Sequence, residues 1–165
     1  MSLRIEFVET SRRWRGALPA RALARRAIGA ALRESGHELR RGAEVCVHLV
    51  GDADIRALNK QWRGRDASTN VLSFPAAPPE RVDAAKLIGD IFIAFETVRR
   101  EANDEGKALA DHFCHLVVHG FLHLLGFDHD AEARAAAMEA LEVRILAHVG
   151  VADPYALGEL TDAAL

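Results

Sequence analysis

The sequence predicts an α+β fold: a single mixed four-stranded sheet packed with helices, in one domain spanning residues 1–165. Three observations point there. The length of 165 residues suits one domain, and a chain of this size buries roughly 70% of its unfolded surface without needing disulfide staples. Four short apolar runs read as strands, with helical-period segments first interleaved among them and then dominating. The chain also holds eight histidines, five of them between residues 112 and 129 in a helical pattern.

Taken in order, Leu3–Val8 (LRIEFV) alternates apolar and polar residues and is the first strand. Pro19–Ser35 has helical spacing, with proline at its start and Gly36 just past its end. Glu44–Val50 (EVCVHLV) is the second strand, closed by Gly51, and Asp52 is placed to N-cap a helix running to about Arg63. Asn70–Phe74 (NVLSF) is a short strand stopped by Pro75, and Ala76–Val82, with Pro78 and Pro79, is a loop. Leu87–Phe95 (LIGDIFIAF) is the fourth strand. Helices are expected at Glu96–Asn103, Ala108–Leu125 and Ala131–Val149, and the tail Asp153–Leu165 is expected to be loose.

Half the residues are apolar and 27% are charged, a globular rather than a disordered composition. Two cysteines, Cys46 and Cys114, without a C-x-x-C pair exclude a disulfide framework and a cysteine-rich zinc finger. The first sixteen residues lack the apolar core of a signal peptide, and no stretch approaches the length of a membrane span. A cytoplasmic location is expected. The net charge of −3 divides unevenly. Residues 1–100 carry 18 Lys and Arg against 12 Asp and Glu, a surplus of +6, whereas residues 101–165 carry 3 against 12, a deficit of −9. Eighteen of the 21 basic residues are arginine, the side chain suited to bidentate phosphate contact. An average near zero therefore does not exclude a nucleic-acid partner.

The decisive stretch is His119-Gly-Phe-Leu-His123-Leu-Leu-Gly126-Phe-Asp-His129. His119 and His123 are four apart, which puts both imidazoles on one helix face roughly 5–6 Å apart at Cβ. Gly126 accepts the left-handed conformation that ends a helix, so the chain can swing back and present His129 to the same ion. Three neutral imidazoles leave a fourth position open, the plan of a catalytic rather than a structural zinc site. Nickel or iron also suits three imidazoles. His115 continues the stripe, either as a cleft wall, which is favoured, as a support behind the metal ligands, or as an exposed helix flank; His112, His37, His48 and His148 read as structural. Asp128 is placed either to orient His129 or to serve as a turn carboxylate. Gly120, mid-helix, costs roughly 1 kcal/mol against alanine, which predicts a close approach to the helix there by another backbone or by substrate.

The spacing H-x-x-x-H-x-x-G-x-x-H resembles the metal-binding pattern of metzincin proteases, so the histidine-bearing helix is expected to be metzincin-like. Those proteases carry a glutamate base directly after the first histidine; here that position is Gly120, which weakens a peptidase reading. The whole segment HGFLHLLGFDH resembles the signature of the YbeY endoribonuclease (ribosomal RNA maturation factor) family. So does the upstream run Trp62–Pro75 (WRGRDASTNVLSFP), together with Ile88-Gly89-Asp90-Ile91 and the tail Glu142–Tyr155, with Asp153-Pro154-Tyr155. The matches span about residues 44–155; Ser68 stands where proline is common and Phe127 where tyrosine is common.

The resemblance implies a zinc-dependent, single-strand-specific endoribonuclease that matures the 3′ end of small-subunit ribosomal RNA and takes part in ribosome quality control. It implies His119, His123 and His129 as the ligands of one Zn²⁺ and a functional role for Arg63. From the residues, zinc would polarise a phosphoryl oxygen and lower the pKa of a water, and the Arg63 guanidinium would hold two phosphate oxygens. Arg63 and His119 are thus the candidate catalytic residues, with Arg65 a weaker one. The nucleophile is either water or the RNA 2′-hydroxyl. Two other readings remain: a ribosome-associated RNA-binding factor with a structural metal, and a metallohydrolase of another substrate such as a peptide, which metzincins lay along an edge strand like Val71–Pro75.

Overall fold

Short, largely apolar runs build four strands into one sheet: β1 (Arg4–Glu9), β2 (Glu44–Val50), β3 (Val71–Pro75) and β4 (Leu87–Ala94), in the spatial order β1-β2-β4-β3. The computed structural model describes residues 2–156. β1, β2 and β4 are mutually parallel, whereas β3 runs antiparallel to β4 along one edge. Parallel neighbours require long crossovers. These are supplied by α1 (Ala20–Ser35) between β1 and β2 and by α2 (Asp52–Arg63), followed by β3, between β2 and β4. Three helices follow: α3 (Phe95–Asp104), α4 (Leu109–Leu124) and α5 (Glu132–His148). The α+β expectation with a mixed four-stranded sheet is met, and the described helices and strands begin and end close to their expected positions.

Val45, Val47 and Leu49 of β2 and Ile91 and Ile93 of β4 point to one face of the sheet, where they are buried beneath α1 and α4. The helix α4 is buried or half-buried at every position, with apolar residues on all but its histidine face. Alanines 24, 27 and 31 of α1, all fully buried, let it approach α4 closely. Trp14, in a short 3₁₀ turn (Arg12–Trp14), plugs this layer: its indole N–H donates to Val50 O at 2.9 Å and its ring meets Phe95 and Phe113 edge-on at 5.1 and 5.3 Å. The opposite face of the sheet carries a smaller apolar cluster of Val50, Leu72 and Ala94 under Ile55 of α2.

Three local expectations change. Asp52 is the first residue of α2 rather than its N-cap, which is Gly51. Its carboxylate instead accepts from the Thr97 backbone N–H (3.0 Å) and hydroxyl (2.8 Å) at the start of α3, while Glu96 of α3 accepts from Asp52 N–H at 2.8 Å. The two helix N-termini thus cap each other. The proline-rich loop contains a 3₁₀ turn over Pro79–Ala84, held by Val82 in the core. The expected loose tail is fixed through residue 156, since Lys107 Nζ donates to Pro154 O at 3.2 Å and Tyr155 reaches the helix layer; its remainder, 157–165, lies outside the described residues.

Candidate active site

The site grows from the C-terminal end of α4. His119 and His123 lie one turn apart on the same face, with Nε2 atoms 3.0 Å apart. Gly126, at φ 101°, then reverses the chain: its N–H donates to His123 O and that of Phe127 donates to Leu122 O, both at 3.1 Å, which is a Schellman ending. A side chain at residue 126 would meet Pro79 Cβ at 2.7 Å as well as the backbone strain, so glycine is required twice over. The reversal brings the His129 ring to 5.0 Å from that of His123 and 5.8 Å from that of His119.

The ligand-capable atoms of His119, His123 and His129 all lie within 4.8 Å of one another. Ligands of a tetrahedral ion bound at about 2.0–2.1 Å stand roughly 3.3 Å apart, so this donor set fits one ion with only small adjustment. Burial, then the neighbouring His119 and His129, lower the pKa of His123 to about 4, which keeps it in the neutral form that a metal needs.

His119 is oriented from behind. Its Nδ1–H donates to Glu142 Oε1 at 2.8 Å, leaving Nε2 free to face the other imidazoles. Glu142 of α5 is 1% exposed. Its other oxygen accepts from His115 Nε2 at 2.8 Å and from the Tyr155 hydroxyl at 2.6 Å. Burial alone would raise this carboxyl, but the hydrogen bonds from His115, His119 and Tyr155 overcome it and hold the pKa near 2, so the group is an anion. Burial, then Glu142, push the Tyr155 phenol well above its usual range, so it stays a donor.

A cleft of about 500 Å³ opens in front of the histidines. One wall is β3, the edge strand, with Val71, Leu72, Ser73 and Pro75; His115, Leu116 and Tyr155 form another. Arg63, the last residue of α2, closes it: its guanidinium donates to Ser73 O at 3.1 Å and lies 5.5 Å above the Phe74 ring. The remainder of its donor fork is open to the cleft. The structure therefore brings together all four sequence candidates, His119, His123, His129 and Arg63. Arg65 does not line the cleft. His115 does line it, as expected, but its Nε2 is spent on Glu142. Asp128 takes the turn role: it accepts from Asp130 N–H and pairs with Arg134 at 3.6 Å. His112 is buried and bonded to Glu101 at 2.9 Å, a structural role, and Glu101 in turn accepts from Asn70 at 3.0 Å beside the cleft.

The approach predicted at Gly120 is the sheet itself. A Cβ there would stand 3.0 Å from Ile91 Cγ2 and from Ser73 Oγ, and the Ser73 hydroxyl donates to Gly120 O at 2.9 Å. The position that holds a glutamate base in metzincins is here pressed flat against β3 and β4.

Sequence reasoning assigned no role to Glu142 or Tyr155, which it placed only in the tail resembling the family's ending. Glu142 had a readable signal: it stands on the apolar stripe of α5, four residues after Met138 and three before Ile145, both buried. A carboxylate in a buried stripe needs partners.

A three-histidine centre on a helix that ends in a glycine reversal, faced by an arginine across an edge-strand cleft, defines a metallohydrolase-type protein of α+β fold. The profile of the family described as endoribonuclease YbeY matches residues 12–150. Endoribonuclease YbeY of Rhodopseudomonas palustris (strain BisA53) is 53% identical over 146 residues, covering 87% of this chain and 84% of that protein. The Alkalilimnicola ehrlichii protein of the same name is 49% identical over 160 residues, covering 96% of this chain and 93% of its own length. The solution structure of TM1509 from Thermotoga maritima superposes with a TM-score of 0.61 at 26% identity, covering 89% of this chain and 88% of that one. The chain belongs to the endoribonuclease YbeY family.

Proposed function

We propose that this chain, acting as one domain in the cytoplasm, is a zinc-dependent endoribonuclease that cleaves single-stranded RNA. By its resemblance to the family, it matures the 3′ end of small-subunit ribosomal RNA on the ribosome. The observation that carries the reading is the shared cleft: three imidazoles converge on one side and the Arg63 fork opens on the other. His119, His123 and His129 would hold the ion, which when bound supplies a Lewis acid at a phosphoryl oxygen and makes water more acidic.

The other roles fall to side chains of the cleft. Phosphodiester cleavage needs charge neutralisation around phosphorus more than covalent help. Arg63 supplies it, pre-positioned by Ser73 O and the Phe74 ring. Glu142 keeps the His119 proton on Nδ1 and so presents a bare Nε2. His115 and Tyr155 fix Glu142 rather than meet substrate. β3, at the edge of the sheet, forms the cleft wall along which the RNA strand lies. With Gly120 in place of a glutamate, the peptidase reading has no general base.

The test is cleavage of a single-stranded oligoribonucleotide by purified protein and by a His119→Ala variant prepared identically. Loss of activity in the variant is expected; equal activity would assign the cleavage to a contaminant and defeat the reading. No helix among the described residues is long and apolar enough to cross a membrane.

A further inference from the structure

The sheet has a second face, turned away from α4. Side chains alternate along a strand, so Cys46 and His48 of β2 project there together, and Asp90 of β4 stands directly opposite Cys46 in the register. One ligand atom from each, the Cys46 thiol, a His48 ring nitrogen and an Asp90 carboxylate oxygen, lies within 4.8 Å of the other two. His48 Nε2 is 2.8 Å from Asp90 Oδ1. The imidazole plane is fixed by Phe92, its register partner, stacked at 4.0 Å with the rings 11° from parallel. A shallow depression of about 150 Å³, lined also by Glu6 and Glu44, gives access beside Cys46 and Asp90.

We propose that Cys46, His48 and Asp90 form a second site for a divalent transition-metal ion of the zinc class, separate from the three-histidine cleft. The mixed sulfur, nitrogen and oxygen donor set suits zinc or cobalt; magnesium and calcium take oxygen ligands. Local electrostatics agree. Burial raises the thiol pKa, and Asp90 and Glu6, the residue paired with Cys46 on β1, add to this by placing negative charge beside it. A dication offsets that charge. On binding, the metal–sulfur bond replaces the S–H bond and that proton leaves to solvent, while His48 takes its Nδ1–H form so that Nε2 can ligate. No ligand is shared with the cleft. Ile91, adjacent to Asp90, faces the opposite way, toward Gly120 of α4.

Cobalt(II) separates the two sites by spectrum, because thiolate ligation gives an intense near-ultraviolet charge-transfer band that an all-imidazole site lacks. The full-length protein saturated with Co²⁺ should show that band and bind one equivalent more than Cys46→Ser. His119→Ala should keep the band while losing the equivalent at the cleft. His48→Gln, which retains the thiol, should weaken Co²⁺ binding at this site at least 10-fold and serves if Cys46→Ser folds poorly. Absence of the band in the wild-type protein at saturating Co²⁺, or its persistence in Cys46→Ser, overturns the proposal. Neither result bears on RNA cleavage at the histidine cleft.

Discussion

Nδ1 of His119 and Oε1 of Glu142 are joined by a 2.8 Å hydrogen bond across 23 residues of sequence, tying the end of α4 to a buried anion on α5. This contact sets the tautomer of the first imidazole, and it makes Glu142 a positioning residue. Replacing Glu142 with glutamine keeps the shape but removes the charge. Such partners of metal-binding histidines typically contribute 10–100-fold to affinity. Chelator competition should show Zn²⁺ binding weakened by about that factor in Glu142→Gln. Glu142→Ala also strands the donors of His115 and Tyr155, and should lower unfolding stability by about 3 kcal/mol in denaturant titration.

Gly120→Ala reads the packing of α4 on the sheet. Alanine gains roughly 1 kcal/mol of helix propensity, but its methyl would crowd Ile91 and a Ser73 hydroxyl held in place by its bond to Gly120 O. Overpacking of this kind costs about 1–3 kcal/mol. A lower melting temperature is expected. An unchanged or higher one would show that the contact relaxes freely.

Arg63 is exposed and anchors nothing in the core, so Arg63→Ala should fold with wild-type stability. Loss of a pre-positioned donor to a developing oxyanion costs about 10²–10³-fold. A fall of that size in kcat/KM on single-stranded RNA is expected, and Arg63→Lys should recover only part of it, because a point charge cannot hold two oxygens.

The two tryptophans are separated by exposure. Trp14 is 1% exposed and Trp62, beside Arg63 at the end of α2, is 65% exposed. A base stacked on an aromatic ring contributes about 1–3 kcal/mol. Single-stranded RNA should therefore quench part of the fluorescence, and Trp62→Phe should bind with little loss while removing the quench. That binding should also weaken as salt rises, as phosphate contacts require.

The thiols differ in the same way. Cys114 is buried in α4, and burial, with Asp111 adding to it, raises its pKa to about 11, so little thiolate forms at pH 8. The Cys46 thiol pKa is raised too, by burial and then Asp90, but the residue is partly exposed, so a reagent can reach it. Alkylation of the native apoprotein should modify Cys46 alone, and both thiols only after denaturation.

Much of this architecture was legible from residue patterns. Alternation marked the first strand, apolar runs bounded by glycine and proline marked the others, and the i, i+4 histidines with a glycine reversal marked the metal-ligand set. What escaped was non-local or short. Asp52 carries an N-cap side chain, but its partner is Thr97, forty-five residues away, and local capping rules do not see across that distance. The Arg12–Trp14 turn is too brief to show a period, so the core role of Trp14 stayed hidden. Tyr155 sits near the end of the sequence, where terminal position predicts looseness. Its contact with Glu142 depends on α5 returning alongside α4, which only the fold supplies.

The central claim is that the three-histidine cleft carries the cleavage. Its most direct test is a Zn²⁺ titration of metal-free Cys46→Ser protein, which leaves only that cleft to fill, with single-stranded RNA cleavage measured at each addition. Activity should rise from baseline in proportion to occupancy and level off at one equivalent. Metal-free protein cleaving as fast as the loaded form, or a rate indifferent to occupancy, would contradict the account.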